Sequence, residues 1–183
     1  MSENISGTKA AHNIVDLKGK AVIFDMDGTL VDNTPFHYRA WVDLFKKHNL
    51  PHLERETYLA EISGVPIANT VSKYFGNDRD KAFITALVEE KQHLYQLAFK
   101  PHLKPVPGLI SFLANLKKAG LKIALATSSS IDDVDFIFDG IPMRQYFDEL
   151  VTGNMVSQPK PSPQIFLKAA ELLKASPDDC ICI

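Results

Sequence analysis

At 183 residues with 45% hydrophobic side chains, the chain is long enough for one well-buried core and a small second module. Its formal charge of −2, with Lys and Arg scattered rather than gathered into a stripe, offers no footprint for a nucleic acid. No apolar run reaches membrane-spanning length and the polar opening Met1 to Lys9 lacks a signal-like stretch, so no membrane partner and a cytoplasmic location are expected.

Residues 1–18 show no sustained periodicity and read as a loose leader. The apolar run Ala21 to Phe24 is too short for a helix and reads as a buried strand of a parallel sheet. Two carboxylates, Asp25 and Asp27, follow at once, and Gly28 allows a sharp turn. Asp-Gly between apolar runs also signals a β-hairpin, and that alternative stays open at this point. Asn33 or Thr34 then caps a helix on which Phe36, Ala40, Trp41, Leu44 and Phe45 recur at helical spacing.

Further helices are expected at Glu54 to Ile62, Pro66 to Phe75 and Asp78 to Lys100. The proline-rich Pro101 to Gly108 reads as a hinge, followed by a helix at Leu109 to Ala119 and a strand at Leu121 to Ala126. Thr127 to Ser130 cap the next helix, which continues through Phe138. A strand near Leu150 to Thr152, a helix from Pro161 to Leu173 and a strand from Cys180 complete the pattern. The chain thus divides into an α/β core, residues 19–33 and 104–183, and an all-helical insertion, residues 34–103. Cys180 and Cys182 make a poor metal site and are expected to be small buried hydrophobes.

The string Asp25-Met-Asp-Gly-Thr-Leu-Val-Asp32 resembles the first motif of the haloacid dehalogenase superfamily of phosphotransferases. Thr127 matches the second motif, and Lys160 before Pro-Ser-Pro matches the third. The resemblance implies a Rossmann-like parallel-sheet core with an inserted helical cap, Mg2+ as cofactor and a small phosphorylated metabolite as partner. It implies that Asp25 is the nucleophile and passes through an aspartyl-phosphate, and that Asp27 manages protons. Lys160 would neutralise charge, while Thr127, Ser128, Ser129, Gly28 and Thr29 would hold phosphate oxygens. Asp25 and the main-chain carbonyl of Asp27 would hold the metal.

Asn33 to Trp41, Pro105 to Gly108 and Ala126 to Ser129 are most similar to the β-phosphoglucomutase-like subgroup. There a histidine matching His37 stands at the cap hinge; a plain hinge histidine is the competing reading. Ser63, Val65 and Ile67 are neutral where the mutase pattern is basic, which favours a phosphatase for a sugar phosphate over a mutase; separately, a monomer is expected. The family's fourth, acidic motif would follow the strand at Cys180 to Ile183, so a truncated chain is expected. A catalytically silent binding module is therefore a third reading.

Overall fold

The computed structural model describes residues 20–76 and 79–183; the expected leader, residues 1–18, and the expected helix start at Asp78 lie outside the described residues. Four strands, β1 (Ala21–Phe24), β2 (Lys122–Ala126), β3 (Glu149–Val151) and β4 (Cys180–Cys182), form one sheet in the order β3-β2-β1-β4. All neighbours pair in parallel, with Val22 opposite Ile123 and Phe24 opposite Leu125. The hairpin reading of Asp27-Gly28 is thereby excluded, because both neighbours of β1 run in its own direction.

Strand alternation sends Val22, Phe24, Ile123 and Leu125 to one face and Ala21, Ile23, Ala124 and Ala126 to the other. The first face packs on α5 (Leu109–Lys118) and α6 (Ile131–Gly140) through Leu113, Leu116, Val134 and Ile137. The second packs on α7 (Gln164–Leu172) through Ile165, Ala169 and Ala170. A parallel sheet covered on both faces is the Rossmann-like α/β arrangement. Small alanines on the second face let α7 approach closely, whereas the first face carries the bulk. Leu113, fully buried there, would cost about 2–5 kcal/mol if cut back to alanine.

Between β1 and α5 stand four helices, α1 (Thr34–Lys47), α2 (Arg55–Glu61), α3 (Ile67–Phe75) and α4 (Lys81–Phe99). Trp41, Leu44, Phe45, Tyr58, Ile62, Val71 and Leu87 build a hydrophobic cluster of their own. At the far end of α4, Tyr95 and Phe99 instead join the cluster of Val22 and Phe24. The outgoing and returning connections touch: the Val106 amide donates to the Leu30 carbonyl at 2.9 Å.

Two expectations need correction. The last long helix starts at Gln164 rather than Pro161, because prolines at 161 and 163 donate no amide and restrict the residue before each. Cys182 is exposed and Cys180 half-buried, since among the described residues β4 pairs only with β1 and stands at the sheet edge. No helix among the described residues is long and apolar enough to cross a membrane.

Candidate active site

Beyond the carboxyl ends of β1 and β2 lies a cavity of about 580 Å³, the position where open parallel sheets take their ligands. Its sheet-side wall carries Asp25, Asp27, Ser128, Ser129 and Lys160, and its helical wall carries His37, Trp41, Tyr58 and Lys91. The two aspartates have different partners.

Asp25 leaves β1 with its amide donating to the Ile183 carbonyl at 2.8 Å, so β4 holds its backbone in place. Its Oδ1 accepts the Met26 amide at 2.8 Å and pairs with the Lys160 ammonium at 2.8 Å. Lys160 also donates to the Ala126 carbonyl at 3.1 Å, so the end of β2 aims it at the end of β1.

Asp27 accepts at both oxygens. Asn33 donates to Oδ1 at 2.5 Å and the Ser129 hydroxyl donates to Oδ2 at 2.7 Å. Burial pushes this carboxyl up, but the donors from His37, Asn33 and Ser129 outweigh it and hold the pKa at about 2. Asp27 is therefore ionised in the free protein at neutral pH.

His37 faces Asp27 Oδ1 through Nε2 at 3.6 Å, stacks on Tyr95 with ring centroids 3.9 Å apart, and meets Lys91 Nζ through Nδ1 at 2.9 Å. A charged ammonium can only donate, so Nδ1 accepts and the ring proton sits on Nε2, toward Asp27. Burial and the Lys91 charge lower the His37 pKa, which keeps the ring neutral. Lys91 itself is 2% exposed, and burial brings its pKa down to about 8 against the pull of Asp133 and Asp27.

Of the residues expected from the sequence, Asp25, Asp27, His37, Ser128, Ser129 and Lys160 line one cavity. Thr127 is wholly buried, and its hydroxyl oxygen accepts the Ser129 amide at 3.1 Å, which folds the loop that presents the serines. Gly28, with φ +77°, and Thr29 form the turn after β1 and do not reach the cavity wall. Ser130, rather than Thr127, caps α6, accepting the Asp133 amide. Asn33 stands at the cap of α1 but turns its side chain to Asp27.

Lys91, Gln92, Tyr95 and Asp133 were not anticipated. The signal for two of them was present: Leu87, Lys91, Tyr95 and Phe99 follow one another at four-residue spacing, so a lysine sits in the buried stripe of α4.

Magnesium takes oxygen ligands and keeps several waters, often with substrate phosphate completing its shell. The Asp25 carboxylate and the Asp27 carbonyl are donors of that kind. Among the described residues no group of three or more His, Cys, Asp or Glu gathers around a metal position.

Residues 22–183 match the model of the haloacid dehalogenase-like hydrolase family. Hexitol phosphatase A of Escherichia coli strain K12 is 32% identical over 169 residues, covering 91% of this chain and 74% of that protein. Beta-phosphoglucomutase of Bacillus subtilis strain 168 is 30% identical, covering 90% and 74%. Among solved structures, beta-phosphoglucomutase from Clostridium difficile superposes with a TM-score of 0.78 at 25% identity, over 89% of this chain and 74% of that one. With the parallel sheet, the paired aspartates and the lysine that meets them, these matches establish that the chain belongs to the haloacid dehalogenase-like hydrolases.

Proposed function

We propose that the protein is a phosphatase for small phosphorylated carbohydrates, with Asp25 as nucleophile and Asp27 as acid and base. The observation that carries this reading is the contrast between two carboxylates on one cavity: Asp25 is paired with a cation, Asp27 is held by neutral donors. Relatives named for hexitol phosphate, phosphorylated carbohydrates and phosphoglucose support the substrate class.

A phosphoryl group entering the cavity meets Lys160 and the loop from Ser128 to Ser130, which Thr127 shapes. An Asp25 oxygen attacks phosphorus as the bond to the leaving alcohol breaks, and Asp27 delivers a proton to that alcohol. Arrival of a phosphate dianion beside Asp27 raises its pKa from about 2, so Asp27 takes up a proton from solvent as the substrate binds and passes it to the alcohol. In the second step Asp27 takes a proton from water, whose oxygen attacks the aspartyl-phosphate and frees Asp25. The Asp25 carboxylate and Asp27 carbonyl would hold Mg2+, which when bound supplies positive charge to the transferring oxygens. Helices α1–α4 act in this reading as the lid that limits access of water.

The loop between α2 and α3 supports hydrolysis over mutase chemistry. Ser63, Gly64, Val65, Pro66, Ile67 and Ala68 line the cavity there, and none carries a charge to hold the second phosphate of a bisphosphate. Phosphate release from glucitol 6-phosphate and glucose 6-phosphate with Mg2+ tests the reading. Turnover is expected, with loss of at least about a thousandfold in Asp25→Asn and complete loss on chelation. No turnover by the wild-type chain would favour a silent binding module, and conversion of β-glucose 1-phosphate to the 6-phosphate would favour a mutase.

A further inference from the structure

At about 580 Å³ the cavity has room for more than a phosphoryl group, and its two walls differ in charge. A phosphoryl group that meets Asp25 on the sheet side leaves the rest of the ester facing the helical wall. Apart from His37 and Lys91 that wall is uncharged, with Trp41, Tyr58, Ile62, Val65, Ile67 and Val88 turned to the cavity.

Among the described residues two ammonium groups line the cavity, and both are engaged. Lys160 belongs to the sheet side, 2.8 Å from Asp25 Oδ1 and 3.1 Å from the Ala126 carbonyl oxygen. Lys91 is 2% exposed, donates to Nδ1 of His37 at 2.9 Å and lies over the rings of Trp41 and Tyr95. Its charge already answers two carboxylates, Asp133 and Asp27. His37 adds no positive charge, because burial and Lys91 keep the ring neutral. A carboxylate or second phosphate on the leaving alcohol would therefore move from water against apolar side chains without a cation to meet it. An unpaired charge in such surroundings is far more costly than a hydroxyl.

We propose that the cavity selects phosphate esters of uncharged alcohols and rejects esters whose alcohol part is itself anionic. This rests on the phosphatase reading and narrows its substrate class. Selection of this kind works by leaving the wrong ligand's charge unpaired and needs no added contact to the right one. Val65 is the position at which it can be reversed: it lines the cavity on the loop between α2 and α3 and is 39% exposed, so a charge placed there stays hydrated in the free protein and still faces the substrate.

The experiment compares kcat/KM for glucitol 6-phosphate with that for 6-phosphogluconate, which carries a carboxylate in place of the polyol's terminal hydroxymethyl group. The wild-type protein should prefer the polyol ester by at least about tenfold. Val65→Lys should shrink that preference by at least about fivefold, whereas Val65→Gln, similar in reach but uncharged, should stay within about twofold of wild type. A wild-type preference smaller than about tenfold overturns the inference and leaves the phosphatase reading intact. An unchanged preference in Val65→Lys, or an equal shrinkage in Val65→Gln, also overturns it, since charge at this wall would then not be what selects. If the wild-type protein hydrolyses neither ester, the phosphatase reading fails and calorimetric titration with the same two esters decides. Glucitol 6-phosphate binding at least about tenfold tighter than 6-phosphogluconate supports the inference; equal or absent binding overturns it.

Discussion

The side-chain amide of Asn33 donates to Oδ1 of Asp27 at 2.5 Å, although Asn33 occupies the cap position of α1 and would ordinarily turn back onto its own helix. No side-chain cap bond forms there; a proline in the first turn presets the helix instead. The same amide reaches the Tyr95 hydroxyl on α4 at 2.8 Å. One residue thus ties the candidate acid/base to both the first and the last helix of the insertion.

Replacing Asn33 with alanine leaves Asp27 and Tyr95 short of a donor. The change should cost about 1–3 kcal/mol of stability and lower kcat by roughly 10- to 100-fold. Because the Asn33 bond lowers the Asp27 pKa, its loss raises that pKa. The acid limb of the rate profile should move to higher pH in Asn33→Ala, as read from initial rates between pH 3 and pH 8 (about five units).

Asp27 also links stability to pH. Its folded pKa of about 2 lies below its ordinary 3.8, so its ionised form favours the fold. That contribution is fully present above 3.8 and is lost as pH falls through about 2. Denaturant titrations across this window should show the wild-type chain losing about 1–3 kcal/mol more than Asp27→Asn.

Lys91 works in the opposite sense to a surface lysine. Burial lowers its pKa from 10.5 to about 8, so between those values the unfolded chain binds more protons and stability rises with pH. Activity should do the reverse. Above about pH 8 the neutral Lys91 amine can accept as well as donate at Nδ1 of His37, so the ring proton is no longer held toward Asp27. A falling alkaline limb near pH 8 is expected in the wild-type profile, and Lys91→Met should start lower and lack that limb.

Two glycines beside the site should respond differently to alanine. A Cβ on Gly153 would stand 2.5 Å from the Ser128 carbonyl oxygen, so the loop presenting the serines must shift. Gly153→Ala should lower kcat/KM by about tenfold or more through that displacement. On Gly28 the nearest atom would be 3.6 Å away, and only the backbone at φ +77° resists. Gly28→Ala should cost about 1–2 kcal/mol in thermal unfolding with a smaller effect on kcat/KM.

Local pattern in the sequence was sufficient for β1, because four apolar residues followed by acids cannot be amphipathic helix and need burial on both faces. It was also sufficient for the long helices, whose apolar spacing is dictated by 3.6 residues per turn. Asp25, Asp27 and Lys160 were legible through the resemblance of their motifs to the haloacid dehalogenase superfamily; taken alone, a lysine beside prolines reads as a solvated loop residue. Their meeting at 2.8 Å between Lys160 and Asp25 was not, since it depends on β1 and β2 lying side by side.

That the buried stripe of α4 belongs to the site could be found only in three dimensions. Lys91 and Asn33 are separated by 58 positions, a span no local periodicity registers, and they are joined by how α4 packs on α1 and on the face of the sheet around Phe24. Asn33 read as a cap because its Oδ1 can accept the free amides of an isolated helix start; folding turned the side chain so that Nδ2 donates to the charged Asp27, which leaves Oδ1 without a partner. The sequence by itself determined which segments bury and which residue types stand at their ends, because backbone geometry sets that locally. Which of those ends share a cavity was decided by the packing of distant elements.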